Sequence, residues 1–275
     1  MQAEDERMHA VLHRKMMEQD PDSIFTFRTG LFRFFETITG PIRGRVLDIG
    51  CGNGYASIYL AKHFPVDEIV ALEASVPAVQ ELLPRNIRHH GVEDVCRPVI
   101  GSFEKIPYEQ YFDFVVAFGA LHHSPNLLTT FRQVAKSLKE GGYLIAQEPT
   151  MADTTTNADY VAKYEVIEDF FGFKIRNGDR DDHFFRECEY KTAAVFGGFD
   201  IVHFGRDLPS AVKHDGANKG MRDRVRKFGR FTRSLVRKPN SSAAGRQFAS
   251  DGREVRRSVF VFRKNSTPYI PHVWT

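Results

Sequence analysis

The chain has 275 residues, of which 42% are apolar and 24 are phenylalanine, with 38 basic and 35 acidic side chains and a formal charge of +3. That length fits one large domain with elaborations, and that apolar content excludes a disordered chain or a disulfide-stapled mini-protein. Three widely spaced cysteines (Cys51, Cys96, Cys188) argue against a disulfide framework and for a reducing, cytoplasmic setting; the start MQAEDERMHA reads against a secretory leader, and no apolar run reaches the ~18 residues of a membrane span.

Met8, Val11, Leu12 and Met16 recur at helical spacing until Asp20-Pro21-Asp22 breaks the pattern. An aromatic-rich stretch, Phe25 to Ile38, ends at Gly40-Pro41. From Arg45 short apolar runs alternate with helical patterns. Strands are expected at Arg45–Ile49, Glu68–Leu72, Cys96–Ile100, Phe112–Phe118 and Tyr143–Ala146. Helices are expected at Ala56–His63, Val76–His90 and Leu127–Leu138, with Gly141-Gly142 capping the last. After Pro149 the alternation stops. A polar, acidic insertion follows at 151–182, with an aromatic patch at Phe170, Phe171 and Phe173. A helix at Glu187–Phe196, ended by Gly197-Gly198, leads to strands at Phe199–Phe204 and Arg257–Arg263. Strand–helix alternation with short connections predicts an α/β fold, a parallel sheet with helices on both faces.

The modest net charge is a sum of opposed segments. Eleven bases against Asp215 and Asp223 give residues 213–246 a charge of about +9. Ten acids against five bases give residues 151–190 about −5. Met221, Val225, Phe228, Phe231 and Leu235 fall near helical spacing within the basic stretch. A basic amphipathic helix suits an anionic membrane surface or phosphates, and it equally suits a cap helix with solvated bases.

The most specific local feature is Asp48-Ile49-Gly50-Cys51-Gly52-Asn53-Gly54, where the first strand turns into a helix. Glycines there permit a tight turn and close approach of a ligand to the backbone. The dinucleotide fingerprint would need a third glycine at position 55, which is Tyr55. Asp48, two residues before the first glycine, suits a cofactor carrying positive charge better than a pyrophosphate; its other reading is a cap for the helix that follows.

Val46 to Gly54 resembles the first motif of class I S-adenosylmethionine-dependent methyltransferases. The resemblance runs through most of residues 43–150 and resumes at 183–204 and 256–263. It implies a Rossmann-like, seven-stranded, mostly parallel sheet with an antiparallel last strand, and S-adenosylmethionine as cofactor. It further implies that Asp48, Gly50, Cys51, Gly52 and Gly54 form the cofactor loop, Cys51 as a small filler and not a nucleophile. Glu73, followed by Ala74, takes the place of the acid that grips the ribose hydroxyls. Ser102 and Phe103 stand at the adenine position, where Ser102 departs from the acid often found there. Phe118-Gly119-Ala120-Leu121-His122-His123 is similar to the motif bordering the methionine moiety and the acceptor. The implied organisation is an N-terminal helical lid at 1–40, a cofactor-binding core at 41–150 and an acidic insertion at 151–182. The rest of the core lies at 183–264, interrupted by a basic insertion at 205–255 and followed by a tail at 265–275.

A methyl transfer from a sulfonium chiefly needs alignment and exclusion of water, and a hydroxyl acceptor also needs a base. His122 or His123, at the rim where such sheets bind ligands, is the candidate base, with Glu148 as a further base or acceptor contact. The Asn/Asp-Pro-Pro-aromatic motif of nucleobase amine methyltransferases is absent, as is the Pro-Cys of cytosine C5 enzymes. Phe118 and Glu148-Pro149 stand where metal-assisted O-methyltransferases place acids, and Asp181-Asp182-His183 reads as a solvated turn. No metal is therefore expected. The expected activity is O-methylation of a polar small molecule or sugar. The alternatives are an anionic or phosphate-bearing acceptor or membrane surface met by 213–246, and a non-catalytic cofactor-binding protein. The sequence carries no sign of a protein partner.

Overall fold

A computed structural model describes residues 29–156, 185–205 and 256–266, with shorter pieces at 14, 17–18, 20–22, 158, 168–170 and 173–175. The expected helix at 8–16, the basic stretch 213–246 and Asp181-Asp182-His183 lie outside the described residues, apart from Arg14.

Nine strands and five helices are labelled here in chain order: α1 (Thr29–Thr39), β1 (Gly44–Ile49), α2 (Tyr55–His63), β2 (Val66–Glu73), α3 (Leu83–His90), β3 (Cys96–Ile100), β4 (Phe112–Phe118), α4 (Leu127–Ser137), β5 (Leu138–Thr150), β6 (Glu168–Phe170), β7 (Phe173–Ile175), α5 (Glu187–Phe196), β8 (Phe199–Gly205) and β9 (Arg256–Lys264). Seven strands form one sheet in the order β3-β2-β1-β4-β5-β9-β8. Strands β1 to β5 pair in parallel, and β9 runs antiparallel between β5 and β8. The sheet is thus the mostly parallel, seven-stranded one expected. Among the described residues, β6 and β7 pair only with each other, antiparallel, within the acidic segment.

Both faces of the sheet are covered, which is why its strands read as continuous apolar runs. One cluster joins Leu31, Phe32, Phe34 and Phe35 of α1 and Ile58 and Leu60 of α2 to Val46, Val116 and Ile145. The other joins Phe131 and Val134 of α4 and Tyr190 and Ala194 of α5 to Leu47, Val115 and Phe260. Alternate residues of one strand, such as Val46 and Leu47, enter opposite clusters, as the pleat requires.

Two expected elements differ. Val76–His90 is not one regular helix: a wider π turn at Ala78–Leu82 precedes α3. Pro84 has no N–H to return to the preceding turn, and the wider turn absorbs that missing bond. Helix α4 ends at Ser137, before Gly141-Gly142. Leu138, fully buried, pairs with Phe112 and so begins β5, and the glycines follow within the strand, Gly141 at φ +73°.

Phe131 anchors the second face. It is fully buried with its ring edge-on to Phe199 and Phe262 at 5.8 and 5.6 Å. A Cβ on Gly197 would lie 2.6 Å from the Phe131 Cβ, so the chain approaches this ring as closely as it can. Phe131→Ala is expected to cost about 3–5 kcal/mol of stability, read as a lowered urea midpoint at unchanged slope.

Candidate functional site

Strands β1 and β4 are sheet neighbours whose following segments diverge, β1 leading out to β2 and β4 to β5. In such sheets the crevice at this switch point is where ligands bind. Gly50, at φ +62°, ends β1, and a Cβ on it would lie 2.7 Å from Ala120 Cβ and 3.1 Å from the Phe103 ring. Three loops, those after β1, β3 and β4, therefore meet at one residue that has to be glycine. Gly52 at φ +55° has open space where its side chain would be. Gly54 at φ +81° is the N-cap of α2, and a Cβ there would press on Leu83 at 2.8 Å.

A glycine N-cap has no side chain to satisfy the first turn of its helix. Asp48 supplies the missing acceptor from β1: its Oδ2 takes the Ser57 N–H at 3.1 Å and the Ser57 hydroxyl at 2.6 Å. Asp48 thus lies beneath the loop and fastens α2 to the sheet. Burial pushes its carboxyl up from 3.8 to about 7, the Ser57 bonds oppose this, and repulsion by Glu73 adds to it. Burial also pushes the Cys51 thiol far above its ordinary value, with Asp48 and Glu73 contributing, so it is no thiolate nucleophile.

Glu73, at the end of β2, accepts the Gly52 N–H on Oε2 at 2.9 Å and the Ser75 N–H on Oε1 at 3.0 Å. Each carboxylate oxygen keeps further acceptor capacity. Ala74 is exposed beside it. Ser102 is exposed in a tight turn, its hydroxyl accepting the Glu104 N–H at 3.2 Å, while Phe103 turns in against Gly50. Phe118 closes the opposite wall, stacked on Phe35, edge-on to Phe32 and beside Tyr55.

After β4 the backbone kinks at Gly119 (φ +64°) into a 3-10 turn, Leu121–His123, whose N-cap Ala120 offers no side-chain acceptor. Glu148, 1% exposed at the end of β5, supplies it. Its Oε1 accepts the Ala120 and Leu121 N–H groups, both at 2.9 Å, and its Oε2 lies 2.9 Å from His122 Nδ1. A carboxylate only accepts, so His122 carries its proton on Nδ1 and presents Nε2 as an acceptor. His123 is exposed, its ring centroid 4.0 Å from that of His122. Of the residues singled out in the sequence, Asp48 and Glu73 each hold backbone N–H groups separately around the glycine loop, and Glu148 holds His122 together with the turn after β4. Sequence reasoning missed Ser57 and Asn86, whose side-chain amide donates to the Asn53 carbonyl at 2.9 Å. Neither position carries a local signal, since both act only across the fold.

The profile of the methyltransferase-domain family matches residues 43–187, just over half of the chain. The chain belongs to that family. It is thereby placed among the class I S-adenosylmethionine-dependent methyltransferases, with S-adenosylmethionine as its cofactor. Among curated relatives it is 30% identical over 100 residues to a malonyl-[acyl-carrier protein] O-methyltransferase of Priestia megaterium, covering 36% of this chain and 35% of that protein. It is 31% identical over 117 residues to a sarcosine/dimethylglycine N-methyltransferase of Aphanothece halophytica, covering 41% of this chain and 40% of that protein. The aligned stretches thus span well under half of these relatives. A geranyl diphosphate methyltransferase solved with S-adenosylmethionine shares the fold at a TM-score of 0.60 and 13% identity, over 86% of this chain and 84% of that one.

The methyltransferase site fits that cofactor on its own chemistry. Open space borders Gly52, Glu73 offers a carboxylate for hydroxyls, and the raised Asp48 carboxyl marks a place where positive charge is favoured. Asp48 also makes the unliganded protein pH-sensitive. Between 3.8 and about 7 the native state holds a proton that the unfolded chain has lost, so its contribution to stability falls as pH rises. Asp48→Asn is expected to leave stability unchanged below pH 3.8 and to raise it by roughly 2–4 kcal/mol above about 7, measured by urea unfolding across that window. Glu73→Ala is expected to weaken S-adenosylmethionine binding by about 10–100-fold in calorimetry, the loss of a charge-assisted acceptor.

Proposed function

We propose that this protein methylates a hydroxyl group of a polar small molecule or sugar, with His122 as the general base. The observation that carries this reading is the His122–Glu148 pair at the rim of the cofactor crevice. Glu148 fixes the imidazole through Nδ1 and stabilises the cation that forms when Nε2 takes a proton. The same carboxylate holds the backbone of residues 120–121, so the base and the wall beside it are set by one group. Glu148 on this reading is a positioning residue, and His122, rather than His123, meets the acceptor. Bound S-adenosylmethionine supplies a methyl group on a sulfonium, a good leaving group.

Glu73 and the loop from Gly50 to Gly54 hold the nucleoside side, and Phe118 with Phe32, Phe35 and Tyr55 excludes water from one wall. The acceptor hydroxyl gives its proton to His122 Nε2 as its oxygen takes the methyl. The relatives' names include both O- and N-methyltransferases, so the base carries the preference for a hydroxyl. A second reading of the acceptor rests on charge: about +9 over residues 213–246 suits a phosphate-bearing molecule.

The test is a screen of methyl transfer from labelled S-adenosylmethionine to hydroxylated metabolites, sugars, sugar phosphates and amines. O-methylation is expected. His122→Asn should lower kcat by about 10²–10⁴ while leaving cofactor affinity intact, and His123→Asn should change kcat by less than about tenfold. Full activity in His122→Asn would remove this assignment. Joint neutralisation of Arg222, Arg226, Arg230 and Arg233 should raise KM for a phosphorylated acceptor and not for an uncharged one.

A further inference from the structure

We infer that Asp22, His89 and His90 form a binding site for one divalent transition-metal ion, of the zinc type, away from the methyl-transfer site. One donor atom from each of the three residues lies within 4.8 Å of the other two. His89 Nε2 lies 3.4 Å and His90 Nδ1 3.9 Å from Asp22 Oδ1. Donors sharing an ion at bond lengths of ~2.0–2.2 Å sit roughly 3–4 Å apart, so the Asp22 separations are already those of a shared ligand sphere. Two imidazoles and a carboxylate favour zinc, nickel, copper or cobalt over calcium or magnesium.

The rings are already arranged for this task. The His90 side chain is 2% exposed, and its Nε2 lies 3.2 Å from the Pro21 carbonyl oxygen. A carbonyl only accepts, so the proton sits on Nε2 and Nδ1 turns its lone pair toward Asp22. A ligating histidine held through its other nitrogen by a backbone carbonyl is the usual supporting arrangement around a metal. Two acceptor-bearing groups, Nδ1 and the carboxylate, then face each other, and a cation between them turns that opposition into bonds.

The place in the fold gives the role. Helix α3 begins beside Gly54 at the cofactor crevice and ends at Gly91, from which the chain enters the amino end of β3 at Cys96. The site therefore lies at the end of the sheet opposite the cofactor loop. It joins residues 20–22, ahead of α1, to the last turn of α3. A metal there would fasten residues 20–22 to the last turn of α3, and α1 further along the chain carries Phe32 and Phe35, which pack on Phe118. Nothing in the sequence pattern marks this cluster, because Asp22 stands 67 residues from His89.

The test uses the full chain stripped with a chelator. Titration with Co²⁺, followed by visible absorption, and with Zn²⁺, followed by calorimetry, is expected to show one equivalent bound and a raised thermal midpoint. Asp22→Asn and His89→Gln alter exposed side chains, so they carry the test without disturbing the core, and each is expected to weaken binding by about 10–100-fold. His90→Gln is expected to do the same if it folds. Absence of Co²⁺ and Zn²⁺ uptake by the intact chain, or unchanged affinity in the Asp22→Asn/His89→Gln double variant, would overturn the inference.

Discussion

The architecture of this site depends on a carboxylate at the end of a strand replacing the cap that a neighbouring turn lacks. It occurs twice. Gly54 begins α2 in the left-handed region because Leu83 leaves no room for a side chain, and Asp48 on β1 caps the turn instead. Ala120 precedes the turn Leu121–His123 after the Gly119 kink, and Glu148 on β5 caps it. In each case glycine frees the backbone to bend sharply at the sheet's rim, and an acid from the sheet prevents that freedom from becoming disorder. The two devices stand on strands flanking or forming the switch point, so they fix both sides of the crevice against one frame.

The two acids differ in what surrounds them, and that difference decides their parts. Asp48 accepts from one residue, Ser57, and stands near a second acid, Glu73, so burial dominates and its carboxyl rises to about 7. It is a carboxylate that costs stability when charged, and positive charge brought into the crevice would relieve it. Glu148 is as deeply buried but accepts from two backbone N–H groups at 2.9 Å and from a histidine ring. Its oxygens are taken up by those donors, so it acts on what it holds: the imidazole and the backbone around it.

Much of the frame was legible in the sequence. The cores of all seven main-sheet strands were placed, because each is a short apolar run between turn residues, and α2, α4 and α5 followed from their spacing. Gly50, Gly52 and Gly54 announced a turn by composition, and their positive φ values bear that out. What escaped was relational. Asp48 was readable both as a charge near the loop and as a cap for the helix after it, but its partner, Ser57, nine residues on and buried with it, was not. Glu148 and His122 were each noticed, yet nothing local says that a residue at the end of β5 reaches across to the loop after β4. That contact exists because β4 and β5 are parallel neighbours in register, Phe118 beside Gln147. Pro84 was visible too, but its effect, a wider turn before α3, depends on how the preceding carbonyls are otherwise met.

The family match ends at 187, whereas β8 and β9 bracket a stretch of about fifty residues that holds 13 of the chain's 38 basic side chains. Strand β9 pairs with β5 along Tyr143–Thr150, so the chain returns from that stretch directly alongside Glu148. Ser258, opposite Glu148 in that register, is bonded to Thr150 at 2.6 Å within the sheet. A segment anchored at that position can vary in length and charge without altering the cofactor loop, because its anchor is paired on both sides by β5 and β8. The strand ends that carry Glu148 and the proposed base are therefore held by sheet pairing that does not depend on the length of the stretch between β8 and β9.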